Sequence, residues 1–117
     1  MKLTPTDFGG ALAVESYGPG FFRVGRTVYH GPVLVTATSA AAWGGLDDRA
    51  PLMALAGQVD VLFLGMGADV AHPPADLVAA LREAGIAVEP MASPTAARSY
   101  NVTLSEGRRV ACALLPL

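Results

Sequence analysis

The stretch from Val59 to Met91, VDVLFLGMGADVAHPPADLVAALREAGIAVEPM, decides the fold. Val59 to Leu64 is a nearly continuous apolar run, the pattern of a strand buried on both faces of a parallel sheet. Gly65 and Gly67 then read as a break at the strand's end. Pro73 and Pro74 open a helix whose Leu77, Val78 and Leu81 follow the 3.6-residue period, and Gly85 closes it. Ile86 to Val88 is the next short strand, so the whole segment is a βαβ unit. Ligands of open α/β sheets sit beyond the carboxyl ends of the strands, which directs attention to the turn at Gly65–Gly67.

Toward the C-terminus, Ser93-Pro94-Thr95-Ala96 has the form of a cap followed by proline, and predicts a helix from about Pro94 to Glu106 that stops at Gly107. Val110 to Leu115 is a final apolar strand, for which parallel and antiparallel directions both fit. Toward the N-terminus, Pro51 suits a first helical position, Leu52 to Ala56 a short helix and Gly57 its stop, with Asp47 and Asp48 at its positive end. Thr38 to Ala50 reads as irregular around Trp43. Val33 to Thr36 is a β-branched strand entered at Pro32, which cannot donate a ladder bond. Phe21–Val24 and Thr27–His30 form a hairpin across Gly25-Arg26, where a leading glycine suggests a type II′ turn. Met1 to Tyr17 carries scattered apolar residues around Asp7, Gly9 and Gly10, with Ala13–Tyr17 read as a short strand or lead-in.

The 117 residues suffice for one domain with a core and not for two, so residues 1–117 are read as a single α/β domain. Apolar residues make up 52% and charged residues 15%, against roughly 25% charged usage in an average soluble domain. A surface that poor in charge suggests partners, although Ala and Gly also inflate the apolar count. A net charge of −2 with Lys2 as the sole lysine argues against nucleic acid or anionic lipid as a partner. Cys112, alone in an apolar run, reads as a buried thiol in a reducing compartment. No run approaches the roughly 18 apolar residues of a membrane span, and no presequence pattern is visible, so a cytoplasmic location without membrane insertion is expected.

Four segments occur in a particular order and spacing: Tyr17-Gly18-Pro19-Gly20-Phe21, Tyr29-His30-Gly31-Pro32-Val33, Leu64-Gly65-Met66-Gly67, and Ala97-Arg98-Ser99-Tyr100-Asn101-Val102. From about Phe8 to Leu117 the chain resembles the family of respiratory complex I assembly factor 3 and the adipogenesis-associated domain protein, whose prokaryotic members are catalogued as domain of unknown function 498. The resemblance implies a three-layer α/β fold with a central mixed β-sheet, flanking helices and a β-hairpin layer. It also implies, for the mitochondrial relatives, help in assembling the membrane-bound NADH:ubiquinone oxidoreductase through protein contacts. It carries no catalytic residue over to this chain, which has the look of a short bacterial member.

Read for chemistry, Gly65, Met66 and Gly67 after a buried strand are either backbone donors for an anion or a plain tight turn. Arg98, about one turn into the last helix with Tyr100 and Asn101 beyond it, would add a guanidinium fork if it faced that turn; otherwise Arg98 pairs with an acid such as Asp69 or Asp47 and Asn101 ties down a loop. His30 and His72 are the only histidines and no metal-ligand spacing exists, so no metal is expected. No GxSxG elbow is present, and no cofactor is expected. Phe22, Tyr29 and Trp43 around the hairpin either form a docking surface or pack between hairpin and sheet. The preferred reading is a non-catalytic binding or assembly module contacting another protein, such as respiratory-complex or membrane-protein assembly machinery, or a second copy of itself. The alternative is a small-molecule or anion site, with or without catalysis, at the Gly65–Gly67 turn and Arg98.

Overall fold

In the computed structural model, which describes residues 9–117, the chain runs through β1 (Val14–Gly18), β2 (Phe21–Val24), β3 (Thr27–His30), β4 (Val33–Thr36), β5 (Ala40–Ala42), α1 (Ala50–Met53), β6 (Val61–Met66), α2 (Ala75–Glu83), β7 (Ala87–Met91), α3 (Ser93–Ser105) and β8 (Val110–Leu115). The first part of the lead-in, Met1 to Phe8, lies outside the described residues. β1, β2 and β3 form an antiparallel sheet in that order, and the other five strands form a mixed sheet in the order β5-β4-β8-β6-β7. β6 runs parallel to β7 and β8, and β8 runs antiparallel to β4, which resolves the direction of the last strand.

The apolar run of β6 lacks alternation because both faces of the sheet are covered. On one face Leu62 and Leu64 join Ala111 and Ala113 under α1 and α2, with Leu52, Leu77, Leu81 and Trp43 packed against them. On the other face Phe63, Cys112 and Leu114 lie under α3 and the three-stranded sheet, among Phe22, Val24, Val35, Ala97 and Tyr100. Each fully buried leucine or phenylalanine contributes about 1.5–3 kcal/mol. The three layers and the βαβ unit are those expected from the sequence and from the family resemblance.

Several local expectations are corrected. Gly25 and Arg26 both have positive φ, +56° and +67°, so the hairpin turn is type I′ rather than II′. That turn matches the twist of the flanking strands, and the Arg26 N–H donates to the Glu15 carboxylate, a charge-assisted bond that offsets the strain of a non-glycine residue. Ala40–Ala42, expected to be irregular, pairs with β4 after a turn in which Thr36 and Ser39 hydroxyls meet at 2.9 Å. Asp48 does not cap α1: its carboxylate accepts from the Gly44 N–H and its carbonyl from the Trp43 indole N–H, closing the preceding loop.

β6 begins two residues later than expected and continues through Gly65. Gly65 is therefore a strand residue, paired with Met91 on one side and Leu114 on the other. A Cβ there would lie 2.6 Å from Ser93 Oγ and 2.8 Å from both Ser93 Cα and a Leu114 methyl, so the glycine serves the close crossing of α3 over the strand. The chain breaks only at Gly67, with φ +96°. Ser93, in turn, does not cap α3; the N-cap is Ala92, which makes no side-chain cap bond.

Candidate functional site

The Gly67 N–H, the donor that an anion at this turn would need, donates to the buried Ser93 Oγ at 2.9 Å. Ser93 donates in its turn to the Leu115 carbonyl at 2.6 Å, and its own N–H donates to the Gly67 carbonyl at 2.7 Å. Thus Gly65 lies in the strand, Met66 ends it, and Gly67 is tied to the start of α3. Asn101 is elsewhere: its Oδ1 accepts from the Val14 N–H at 3.0 Å and its Nδ2 donates to the Val14 carbonyl at 2.9 Å. That pair mimics a strand partner for the edge of β1. Of the sequence-derived residues Gly65, Met66, Gly67, Arg98 and Asn101, Arg98 alone lines the groove between α3 and β7, while Gly67 is held by Ser93 and Asn101 by Val14.

Of the aromatic residues weighed for docking, Phe22 is 0% and Trp43 4% exposed. Both are core side chains, Phe22 between the two sheets and Trp43 beneath α1. Tyr29 is half-buried and its hydroxyl donates to the Ala40 carbonyl at 3.2 Å, linking β3 to β5. Val28, on the same strand and 45% exposed, is the residue that presents apolar surface there.

Arg98 lines a different concavity. α3 lies over β8 and β6 and leaves the β7 side of the same face open. The result is an open, solvent-facing groove of about 660 Å³, within the roughly 300–1,000 Å³ typical of small-molecule sites. Val61, Phe63 and Met91 form its floor. Thr95, Ser99, Val102 and Thr103 line the α3 wall, and Glu89 and Arg108 stand at its margins with Arg98. Val102 is 58% exposed beside this floor.

Among the described residues, the ion pairs are Arg49–Asp76 at 2.7 Å and Arg109–Asp60 at 2.8 Å. These arginines hold the Asp76 and Asp60 carboxyls below the usual carboxylate range through direct hydrogen bonds. Arg98 pairs with neither Asp69 nor Asp47; its guanidinium makes a long 3.5 Å contact with the Tyr17 hydroxyl. No carboxylate among the described residues lies within ion-pair distance of Arg98 or Arg108.

The titratable side chains of Tyr100 and Cys112 are buried in the core. Burial pushes the Tyr100 phenol and the Cys112 thiol up, and Tyr100 donates to the Leu12 carbonyl at 2.7 Å. No group of three or more His, Cys, Asp or Glu side chains among the described residues is placed to hold a metal. No helix among them is long and apolar enough to cross a membrane.

The groove was missed in the sequence, although one signal was available. Pro90 marks β7 as an edge strand, since a proline nitrogen cannot donate to a neighbour. The Ala87 N–H donates to the Asp60 carbonyl, so by the two-residue alternation the Pro90 nitrogen faces away from β6. An edge strand beside a helix that crosses the middle of the sheet leaves part of the sheet face uncovered.

A protein of Rhodobacter capsulatus is 56% identical over 110 residues, covering 94% of this chain and 89% of its own length. The NADH dehydrogenase [ubiquinone] 1 alpha subcomplex assembly factor 3 of Danio rerio is 30% identical over 123 residues, covering 99% of this chain and 71% of its own length. A crystal structure of a Bordetella parapertussis protein superposes with a TM-score of 0.82 at 28% identity, covering 92% of this chain and 98% of that one. Residues 14–115, from the first residue of β1 to the last of β8, match the family described as Protein of unknown function (DUF498/DUF598), and the chain belongs to that family.

Proposed function

We propose that this protein is a non-catalytic assembly module that binds another protein during construction of a respiratory NADH:quinone oxidoreductase. The observation that carries this reading is the likeness, over 99% of the chain, to a relative named as an assembly factor of NADH dehydrogenase. A second relative with that name, from Drosophila melanogaster, is 32% identical over 124 residues. The economy of polar groups supports it: no buried side-chain nitrogen or oxygen among the described residues lacks a hydrogen-bond partner. Ser93, Tyr100 and Asn101, the polar side chains nearest the core, are all engaged with backbone groups. A catalytic constellation needs an acid, base or nucleophile aimed at a cavity; Ser93, Tyr100 and Asn101 are aimed at the chain itself, and the groove's acid, Glu89, has no histidine or cysteine beside it among the lining residues.

Deletion of the gene in its native host, followed by native electrophoresis of the respiratory membranes, tests the reading. Loss of the full-size oxidoreductase with accumulation of subcomplexes, restored by the wild-type gene, is the expected result. Normal abundance of the intact complex in the deletion strain overturns it.

A further inference from the structure

The groove between α3 and β7 points beyond protein assembly. Its floor is apolar, formed by Val61, Phe63 and Met91, and the exposed Val102 extends the apolar surface up the α3 wall. Covering such surface is favourable in proportion to its area. At the margin stand two guanidinium groups without carboxylate partners among the described residues, Arg98 and Arg108, against the single carboxylate of Glu89. We propose that this groove binds a small amphiphilic monoanion, a carboxylate on an apolar body of acyl-chain size, with Arg98 as the anchor of the carboxylate.

The charge balance selects the ligand class. Arg98 and Arg108 against Glu89, with the Asp60–Arg109 pair near Arg108 neutral in itself, leave a single positive charge, which a monoanion neutralises, while Glu89 opposes the second charge of a dianion such as a phosphate monoester. The planar guanidinium matches a carboxylate in bidentate geometry. Among the described residues the Arg98 guanidinium makes a single, long contact, with the Tyr17 hydroxyl, so turning toward a ligand forfeits little. The size selects it too. The open groove, about 660 Å³ in volume, is of small-molecule size, while a partner protein would have to spread over about 800 Å² of surface, well beyond it. A strand added to the edge of β7 would find no donor at Pro90.

Titration of the ¹⁵N-labelled protein with dodecanoate, below its micelle concentration, tests the proposal by NMR. Saturable shifts confined to Val61, Met91, Ser99 and Val102 are expected. Arg98→Ala should weaken binding by roughly tenfold or more, the usual consequence of removing a charged hydrogen-bond partner. Val102→Asp alters an exposed side chain, leaves the core intact, and should abolish binding by placing a second acid in the groove. Dodecyltrimethylammonium, with the same chain and opposite charge, should not shift these residues. Absence of saturable shifts, equal binding of the cationic amphiphile, or unchanged affinity in Arg98→Ala each overturns the proposal. A response to an acidic amphipathic peptide but not to dodecanoate overturns it as well and assigns the groove to a protein segment.

Discussion

The Ser93 hydroxyl donates to the Leu115 carbonyl at 2.6 Å while accepting from the Gly67 N–H at 2.9 Å, so one side chain on the first turn of α3 fastens the carboxyl ends of β6 and β8 together. This is the position at which an open α/β sheet usually offers its ligand site. In this chain the place is taken by the protein's own hydroxyl. Replacing Ser93 with alanine leaves a buried donor and a carbonyl without that partner. Urea unfolding should show a loss of about 1–3 kcal/mol with the m-value unchanged. A loss near zero would mean that water replaces the hydroxyl and that the fastening contributes nothing.

Gly65 depends on the same crossing. Its added Cβ would meet the Ser93 backbone as well as the side chain, so neither a rotamer change nor Ser93→Ala can clear the space. Gly65→Ala should therefore cost about 1–3 kcal/mol by overpacking. The double variant Gly65→Ala/Ser93→Ala should recover only the part due to Ser93 Oγ, and a double-mutant cycle measures that coupling. Full recovery would show that only the hydroxyl crowds the site.

Gly65 also illustrates what was legible in the sequence. The βαβ unit was readable because Val61 to Leu64 is apolar on both faces and the helical period of Leu77, Val78 and Leu81 follows within the same segment. The hairpin was readable because its two strands leave only Gly25-Arg26 between them. A strand glycine whose neighbour arrives from a later helix has no local signature, so Gly65 passes for the turn that Gly67 makes. β5 was hidden for a related reason: Ala40–Ala42 has little strand preference of its own and takes its form from pairing with β4. The direction of Arg98 was unreadable because it depends on how α3 is rotated over the sheet, and this rotation is fixed by Ala96, Ala97, Tyr100 and Leu104 burying themselves on the inner face.

Asn101 provides a test of how β1 is held. Its amide satisfies both backbone groups of Val14, a donor and an acceptor that only a carboxamide matches at once. Asn101→Asp keeps the acceptor for the Val14 N–H but sets a carboxylate against the Val14 carbonyl. Hydrogen exchange at the Val14 amide should accelerate in Asn101→Asp and further in Asn101→Ala, with a stability loss of about 1–3 kcal/mol in the latter. Equal exchange in all three proteins would mean that pairing with β2 alone secures the strand.

Cys112 should be chemically silent in the folded protein. It is fully buried in β8 at the centre of the mixed sheet, and burial pushes its thiol pKa up, which suppresses the reactive thiolate. Labelling by a charged disulfide reagent should be slow at neutral pH and become rapid in denaturing urea. Rapid labelling without denaturant would indicate that β8 opens far more readily than a central strand should.

The two surface ion pairs among the described residues contribute to the acid response. Asp60 and Asp76 have carboxyls held below their usual range by Arg109 and Arg49. Below the usual carboxylate range the unfolded chain binds protons that the folded chain still refuses, so the linkage favours unfolding as pH falls. The contribution of each pair is complete above the unfolded value and disappears as pH drops through the folded one. Both pairs are open to solvent, so the effect should be small and should shrink at high salt. Urea midpoints measured from pH 6 down to about pH 3, spanning the ordinary aspartate pKa near 3.9, should fall less steeply in Asp60→Asn/Asp76→Asn than in the wild type. An identical slope in the two proteins would place the acid sensitivity on other carboxylates.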